Sequence, residues 1–264
     1  MSNISSKIDS CMLDVINSIN GINKNLYEAI EYVIKSGGKR LRAVILIKIC
    51  EALEVDQDEA LLCATALEMI HNYSLVHDDL PGMDNDDYRR GIPSCHKKFG
   101  EGIAILAGNG LYTLAIQLLV DGLRKDVLAD VMKVIVSSSG VTGLLSGQAK
   151  DILKTNHLVS SDQDIIELID LYYLKTGKLF EIAFTIPAIL ANCTVEVRNI
   201  LAESGGILGV LYQLSDDLAD GEIDSDIAET LQYSLLSNFY TSIDSLQSDH
   251  LSNIKNFARE LLDL

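Results

Sequence analysis

Tryptophan is absent from this 264-residue chain, and only three prolines and five cysteines occur. The cysteines stand singly, without the CxxC spacing of redox or zinc motifs, so we interpret them as reduced, mostly buried thiols. They are Cys11, Cys50, Cys63, Cys95 and Cys193. No run of about 18 uncharged apolar residues that would span a bilayer occurs, and the polar residues 1–10 lack the apolar core of a signal peptide. We therefore expect a cytoplasmic protein with no membrane insertion.

Basic residues are also scarce: 21 lysines and arginines stand against 38 aspartates and glutamates, a formal net charge of −17 at pH 7. Such a charge argues against a nucleic-acid partner, because a nucleic acid is itself a polyanion. It also repels phosphate-bearing small molecules unless divalent cations bridge the two negative charges. The positions of the acidic residues therefore become the main clue to function.

The scarcity of proline and the long apolar segments with a period near 3.6 predict an all-α fold. No repeat, linker or low-complexity segment interrupts the chain, so we expect one domain over residues 1–264. It should be a bundle of roughly ten or more helices around a central cavity. The predicted helices cover 4–19, 24–36, 41–53, 58–79, 101–120, 126–145, 162–190 and 194–220, with two closing helices within 227–262.

The first acidic cluster follows an apolar helical segment that Pro81 and Gly82 bring to an end. It combines carboxylates with guanidinium groups: Asp78, Asp79, Asp84, Asp86, Asp87, Arg89 and Arg90. Carboxylates bind Mg²⁺, which keeps open positions for phosphate oxygens, and arginine forks bind the remaining phosphate oxygens in pairs. Taken alone, an acidic run followed by two arginines is equally typical of a solvated loop.

A second acidic cluster favours the interpretation as a metal and phosphate site over that as a solvated loop. Residues three and four apart share a helix face, so Gln213, Asp216, Asp217 and Asp220 form one polar stripe on an otherwise apolar helix. Buried carboxylates without compensation are costly, so the stripe must face water, a cation or a phosphate. A similar stripe ends at Asp78. Two helices with carboxylate pairs predict a polar cavity with metal ions between them.

The clusters belong to a larger set of motifs that occur in one order between about residues 30 and 220. The set comprises Gly37 to Arg42 (GGKRLR), Asp78 and Asp79 with Asp84, Arg89 and Arg90, Gly147 and Gln148 with Asp151, Lys175 to Gly177, and Asp216 and Asp217 with Asp220. In these motifs the chain resembles the trans-isoprenyl diphosphate synthases, or polyprenyl synthetases, of the bacterial farnesyl diphosphate synthase type. The resemblance implies an isoprenoid synthase fold and a homodimer. It implies Mg²⁺-dependent condensation of isopentenyl diphosphate with dimethylallyl or geranyl diphosphate to give farnesyl diphosphate.

The resemblance also implies a role for individual residues. Isopentenyl diphosphate would be bound by Lys39, Arg42, His71 and Arg90. The allylic diphosphate would be bound through Mg²⁺ held by Asp78, Asp84 and Asp216, supported by Asp79, Asp217 and Asp220, and assisted by Arg89. The catalytic residues would be Lys175, Thr176 and Gln213, with Lys175 and Gln213 also contacting substrate. Tyr73 and Ser74 would form the floor that limits the product to C15. Without the resemblance, the basic turn at Lys39 could be a solvated turn and His71 an ordinary core histidine.

Two departures from the family pattern keep further functions open. Asn109 stands where the family usually has aspartate, and no lysine occurs between Lys178 and Lys255, so the family's late diphosphate-contacting lysine has no counterpart. The region after residue 220 also looks shortened. These features suit a weakly active or non-catalytic subunit that modulates a partner prenyl synthase. The sequence is also compatible with a geranylgeranyl diphosphate synthase and with a helical bundle that binds no ligand.

Overall fold

The computed structural model describes residues 2–153, 162–221, 223–247 and 249–262. The chain divides into two compact units. The first comprises Met1–Ile47 and Asp56–Leu128, and the second comprises Lys48–Val55 and Ala129–Leu264. The single domain over residues 1–264 stays a prediction.

The first unit is organised around one long, buried helix. Its elements in chain order are α1 (Ser2–Asn17), α2 (Lys24–Lys35), the start of α3 (Leu41–Ala52), α4 (Gln57–Asp78), β1 (Tyr88–Arg89), β2 (Ile92–Pro93), α5 (Cys95–Phe99), α6 (Glu101–Gly122) and the start of α7 (Lys125–Ser139). Asp56 caps α4 by accepting hydrogen bonds from the backbone N–H groups of Asp58 and Glu59. Helix α4 is apolar on most of its surface and packs mainly on α6, so its last turn is held rigidly.

The second unit contains the rest of α3 and α7 and the remaining helices. They are α8 (Leu144–Leu153), α9 (Asp162–Tyr172), a π-helical turn (Tyr173–Gly177), α10 (Lys178–Leu190), α11 (Val195–Asp220), α12 (Ser225–Ser245) and α13 (Asp249–Leu261). Thr194 caps α11 at its N-terminus, and Gly221 ends it in the left-handed conformation at φ 74°. Nearly every side chain of α10 is buried, so α10 is the core helix of this unit.

The all-α prediction is confirmed, and most predicted helices agree with the observed ones to within a few residues. The predicted helix 126–145 is divided, because α7 ends at Ser139 and α8 begins at Leu144. A Cβ at Gly143 would lie 2.1 Å from the Ser138 carbonyl oxygen, so this turn requires glycine. The predicted helix 162–190 contains the π-helical turn, and a two-residue antiparallel strand pair, β1 with β2, follows the first acidic cluster. Residue 248, within the predicted closing helices, lies outside the described residues.

Two stretches of the described chain, Glu101–Gly122 and Lys125–Leu153, are long and apolar enough to cross a membrane by length and composition. The first is free of charge between its ends, although polar residues such as Asn109 and Gln117 interrupt it. In each stretch 39% of the most apolar window is buried within the protein. The core helices of soluble proteins have the same composition, so this finding leaves the expectation of no membrane insertion as a prediction.

Candidate active site

The turn before α3 is anchored by an arginine whose role the sequence did not reveal. Arg40 is 2% exposed and adopts a positive φ of 51°. Its Nε donates to Asp9 Oδ1 at 2.7 Å, its Nη1 to Glu68 Oε1 at 3.0 Å, and its Nη2 to the Ile34 carbonyl at 2.8 Å. Asn72 Oδ1 on α4 is a fourth acceptor, at 3.4 Å from Nη1, so this buried guanidinium ties α1, the end of α2 and α4 together. It thereby fixes the turn that carries the exposed Lys39.

Next to this turn, Arg42 contacts His71 on α4. Arg42 Nη1 lies 3.3 Å from His71 Nε2. Burial holds the pKa of His71 well below its ordinary value, and the positive charges of Arg42 and Arg90 lower it further. The ring is therefore neutral at pH 7, and Nε2 accepts from Arg42, which leaves the proton on Nδ1. Nδ1 is buried and has no hydrogen-bond partner within the described residues. This cluster has donors in excess, which suits an anion.

Arg90 joins the same cluster from the strand pair. It has a φ of 54°, and its Nη1 donates to the Gly37 carbonyl and lies 3.3 Å from Ser36 Oγ. A Cβ at Gly38 would lie 2.7 Å from Arg90 Cζ, so the guanidinium rests directly on this glycine. The structure thus brings Arg90 to the turn of Lys39, and Arg42 to His71, as a cationic cluster of predicted site residues.

The first aspartate motif begins at the C-terminus of α4. Asp78 is the last residue of the helix and is buried, and Asp79 follows as its C-cap. The loop then folds back, so that the Asp84 N–H donates to the Asp78 carbonyl oxygen at 2.9 Å. The side chain of Asp84 is exposed. The backbones of two predicted metal ligands are therefore in contact, although six positions separate them in the chain.

Asp79 has a different environment from its two neighbours in the motif. Its side chain is 4% exposed, and Arg89 Nε donates to its Oδ1 at 2.8 Å. Arg89 Nη2 also donates to Asp86 Oδ2 at 2.9 Å. Burial raises the pKa of Asp79, and the Arg89 hydrogen bonds act in the opposite direction. Asp79 and Arg89, both predicted site residues, are held to each other.

The predicted floor residues lie one turn and more before Asp78 on α4. The Tyr73 ring makes edge contacts with His77 and with Tyr112 of α6, at centroid distances of 5.0 and 5.1 Å. Burial raises the pKa of Tyr73, so its hydroxyl stays neutral. Ser74 is buried, and its Oγ donates to the His71 carbonyl at 2.8 Å. The Tyr73 ring is therefore held in one orientation by two neighbouring rings.

In the second unit, the π-helical turn presents two predicted catalytic residues to different helices. Lys175 Nζ donates to Asp151 of α8, and Thr176 Oγ1 donates to Gln213 Oε1 of α11 at 2.8 Å. A Cβ at Gly147 would lie 2.5 Å from the Lys175 backbone nitrogen, so α8 can approach the turn this closely only at a glycine. π-helical turns are rare and are often found at functional sites.

The second aspartate motif occupies the last two turns of α11, and its members diverge. Asp217 is buried: Gln213 Nε2 donates to its Oδ1 at 2.7 Å, and the Tyr172 hydroxyl donates to its Oδ2. Asp216 and Asp220, by contrast, are exposed on the helix surface. The stripe predicted from the sequence is thus divided between an internal hydrogen-bond network and two exposed carboxylates.

The carboxylates fit Mg²⁺ by their chemistry. No group of three or more histidine, cysteine, aspartate or glutamate side chains is assembled as a complete metal site in the described part of the chain. Mg²⁺ does not require one, because it usually binds one or two carboxylates and completes its shell with water and substrate phosphate oxygens. Asp78 with Asp84 in one unit, and Asp216 with Asp220 in the other, supply such incomplete sets.

Known proteins of the same kind include synthases of two product lengths. The chain is 37% identical over 204 residues to a farnesyl diphosphate synthase of Geobacillus stearothermophilus, and 38% identical over 197 residues to geranylgeranyl pyrophosphate synthase 4 of Arabidopsis thaliana. These matches cover 75% and 74% of this chain. They span 66% of the Geobacillus protein and 53% of the Arabidopsis protein.

Solved structures agree with the fold over almost the whole chain. An apo FPP/GFPP synthase from Zymomonas mobilis is 29% identical with a TM-score of 0.88, covering 99% of this chain and 96% of that one. A Helicobacter pylori geranyltransferase in complex with magnesium and isoprenyl diphosphate is 25% identical with a TM-score of 0.84, covering 99% and 95%. The sequence profile of the polyprenyl synthetases matches residues 23–230. The fold is therefore of the isoprenoid synthase type, and the chain belongs to the polyprenyl synthetase family.

Proposed function

We propose that the protein is a prenyltransferase that adds isopentenyl diphosphate to an allylic diphosphate, dimethylallyl or geranyl, and releases farnesyl diphosphate. The observation that carries the proposal is the contrast within the first unit between two neighbouring groups of side chains. Arg42, His71 and Arg90 offer donors and positive charge, whereas Asp78 and Asp84 offer only acceptors. One group suits a diphosphate directly and the other suits a diphosphate that arrives with metal ions, as two different diphosphate substrates require.

The cationic cluster is the proposed site for isopentenyl diphosphate. Lys39 and Arg42 supply charge, and the neutral His71 ring positions Arg42 by accepting from its Nη1. Arg90 completes the set, since its guanidinium lies against the turn that bears Lys39. Binding here requires no metal, so affinity for this substrate should persist when divalent cations are chelated.

The allylic diphosphate is the proposed ligand of the two aspartate motifs. Asp78, Asp84 and Asp216 would hold Mg²⁺, with Asp79, Asp217 and Asp220 in support. Bound there, Mg²⁺ would neutralise the charge that develops on the departing pyrophosphate. Arg89 would add a guanidinium beside the same diphosphate while remaining paired with Asp79. Lys175 would leave Asp151 in part to neutralise the leaving group.

The reaction then requires that water is excluded and that oxygen atoms lie near the carbocation, but it requires no dedicated base. The allylic carbon–oxygen bond breaks and pyrophosphate departs with the electron pair. The oxygens of Thr176 and Gln213 lie next to the resulting carbocation and stabilise it, while apolar walls exclude water. The double bond of isopentenyl diphosphate forms the new carbon–carbon bond. Pyrophosphate takes the proton that is lost when the new double bond forms, so atoms and charge balance.

Tyr73 is the proposed determinant of product chain length. Tyr73 would close the pocket for the growing chain, with Ser74 beside it, and the ring contacts with His77 and Tyr112 would keep it from yielding to a longer chain. A rigid ring excludes extra carbon atoms more strictly than a mobile side chain, because its displacement would break two ring contacts. We therefore propose C15, not C20, as the final product.

A homodimer is the proposed assembly. Several large apolar side chains of α6 are exposed in the described monomer, namely Ile105 at 42%, Leu106 at 51% and Val120 at 52%. A second copy would cover these side chains together with the exposed polar residues Asn109, Thr113 and Gln117 that lie between them. The measurement that checks it is the molar mass in solution by light scattering, at protein concentrations spanning the working range.

The test of the function is turnover. Purified protein is incubated with isopentenyl diphosphate and geranyl diphosphate, with Mg²⁺ or with excess chelator, and the products are separated by chain length. We expect a C15 product that depends on Mg²⁺. A C20 product would refute the Tyr73 argument while leaving the enzyme class intact. A folded protein that releases no pyrophosphate under any of these conditions would refute the enzymatic proposal.

The second candidate function is a non-catalytic subunit that modulates a partner prenyl synthase. The observations that favour it are Asn109, which is exposed on α6 in place of the family's aspartate, and the absence of any lysine between Lys178 and Lys255. Retention of every aspartate in both motifs favours the enzyme instead. The discriminating experiment supplies an active prenyl synthase: a modulator should change that enzyme's product lengths while contributing no turnover itself.

A further inference from the structure

A continuous hydrogen-bond chain links one buried tyrosine to the π-helical turn. Tyr172 is the last residue of α9, is 5% exposed, and packs in the apolar cluster formed by Leu168, Val210, Leu214 and Ala228. Its hydroxyl donates to Asp217, Gln213 donates to the other oxygen of Asp217, and Thr176 donates to Gln213. The chain therefore begins in the core and ends at a proposed catalytic oxygen.

The direction of every bond in this chain follows from the carboxylate. An ionised carboxylate only accepts, so Gln213 must turn its NH₂ group toward Asp217 and its carbonyl oxygen toward Thr176. Thr176 must then donate its single proton to that oxygen. The remaining lone pairs of Thr176 are directed elsewhere, and the hydroxyl acts toward any ligand as an acceptor alone. The partial negative charge of this hydroxyl oxygen can stabilise a nearby carbocation.

From this geometry we propose that Tyr172 is a positioning residue, which rests on the function proposed above. Its hydroxyl pins Asp217 in the interior of the unit. Asp217 in turn fixes the orientation of the Gln213 amide and the polarity of the Thr176 hydroxyl. Without the Tyr172 hydroxyl, one oxygen of a buried carboxylate loses its donor. Asp217 is then free to turn toward other donors, and Gln213 can reverse its amide.

The neighbouring residue supplies a matched control. The Tyr173 hydroxyl donates to Glu181 Oε2 at 2.6 Å, and Lys178 Nζ also donates to that carboxylate oxygen, at 2.7 Å. Tyr172→Phe and Tyr173→Phe each remove one hydroxyl and one hydrogen bond to a carboxylate, and Tyr173→Phe also removes the acceptor of a hydrogen bond from Lys178 Nζ at 3.2 Å. Only the first interrupts the path to Thr176. A purely structural role for Tyr172 would make the two variants alike in activity.

The first experiment compares steady-state kinetics of the two variants. We expect Tyr172→Phe to lower kcat about tenfold, equivalent to one hydrogen bond lost from the transition state. The KM for isopentenyl diphosphate should stay as in the wild type, and Tyr173→Phe should match the wild type throughout. In a Thr176→Val background, Tyr172→Phe should cost much less, because its effect passes through the missing hydroxyl. Equal kcat for the two tyrosine variants, or an undiminished loss in the Thr176→Val background, would overturn the proposal.

The second experiment does not depend on turnover. Protein labelled with ¹⁵N at the glutamine side chains is examined by NMR, and the Gln213 amide signals are identified by their loss in Gln213→Glu. We expect these signals to move in Tyr172→Phe and to stay in place in Tyr173→Phe. Unmoved signals in Tyr172→Phe would overturn the inference. If the signals move in Tyr172→Phe but the wild-type protein makes no prenyl product, the positioning role of Tyr172 stands and the proposed function fails.

Discussion

The two aspartate motifs differ in the hydrogen-bond donors that bind their second aspartates, Asp79 and Asp217. Asp79 is bound by the guanidinium of Arg89, a charged partner that in turn reaches Asp86. Asp217 is bound by the hydroxyl of Tyr172 and the amide of Gln213, both neutral. Both sets of hydrogen bonds are charge-assisted because the acceptor is a carboxylate, but only Arg89 also brings a positive charge. The first motif is therefore charge-compensated within the protein, whereas the hydrogen bonds from Tyr172 and Gln213 bring no positive charge to Asp217.

The surroundings extend this contrast. Near the first motif, Arg42 and Arg90 lower the pKa of His71 by their positive charge, in addition to the effect of burial. In the second motif Asp216 and Asp220 are exposed. We infer that the first unit is prepared for anions before any metal binds. We expect binding at the second motif to depend more steeply on the Mg²⁺ concentration than binding at the cationic cluster.

The largest expected effect tests whether both motifs serve one reaction. Asp78→Ala and Asp216→Ala should each lower kcat/KM for geranyl diphosphate by roughly 100- to 1,000-fold, because each removes stabilisation of the leaving pyrophosphate. The control is Asp87→Asn, in the same loop, whose carboxylate pairs with Lys97 at 2.7 Å. It should retain wild-type rates. If one of the alanine variants keeps wild-type kinetics, the two motifs do not act together.

The next largest effect compares how much the charged partner of Asp79 and the neutral partner of Asp217 contribute to the free energy of unfolding. Arg89→Met leaves the buried Asp79 without its cation and should lower the free energy of unfolding by about 3 kcal/mol. Tyr172→Phe removes one neutral donor from Asp217 and should lower the free energy of unfolding by about 1.5 kcal/mol, the lower end for a hydrogen bond to a carboxylate. Both are measured by urea denaturation without Mg²⁺. Equal losses would show that the charge of Arg89 contributes nothing beyond a hydrogen bond.

A smaller effect concerns product length in the first unit. Tyr73→Ala should shift the C20 to C15 product ratio upward by roughly tenfold, the scale at which a pocket discriminates a few methylene groups. Tyr112→Phe keeps the ring against Tyr73 and should leave the ratio as in the wild type. Products are quantified after exhaustive reaction with isopentenyl diphosphate. An unchanged ratio in Tyr73→Ala would remove Tyr73 from the floor.

The smallest effect is a pH dependence that belongs to the first unit alone. The pKa of His71 is depressed below its ordinary value of 6.5, so the unfolded chain binds more protons there as pH falls below 6.5. The His71 contribution should therefore reduce the free energy of unfolding below that pH, and His71→Gln should show a shallower decline. Inorganic pyrophosphate, by supplying negative charge, should flatten the wild-type decline as well. Identical pH profiles for the two proteins would contradict the cationic cluster.

Helix positions followed from the sequence because apolar periodicity and capping residues act locally. The ends of α4 and α11, marked by Asp56, Thr194 and Gly221, were recoverable for this reason. The break between α7 and α8 was not, although Gly140 and Gly143 were visible signals for it. The π-helical turn follows from close packing at Gly177, whose Cβ would lie 3.0 Å from the Gly206 carbonyl oxygen, a contact that no local pattern encodes.

Motif order was enough to name candidate site residues, but it could not identify their hydrogen-bond partners. The sequence placed Asp217 in a metal-facing stripe, because helical spacing cannot show that Tyr172, 45 positions away, binds it. Likewise Arg40 looked like one more cation of a basic turn. Its burial against Glu68 and Asp9 depends on helices that are far apart in the chain. Long-range pairing thus decides which charged groups are structural and which remain available for ligands.

The central proposal is that both aspartate motifs are needed for binding of the allylic diphosphate with Mg²⁺, and direct binding tests it without turnover. The probe is a geranyl diphosphate analogue with sulfur as the bridging atom, titrated calorimetrically in the presence of Mg²⁺. We predict that Asp78→Ala and Asp216→Ala each weaken its binding at least about tenfold, the scale for perturbed metal sites. Wild-type affinity in either variant would contradict the account.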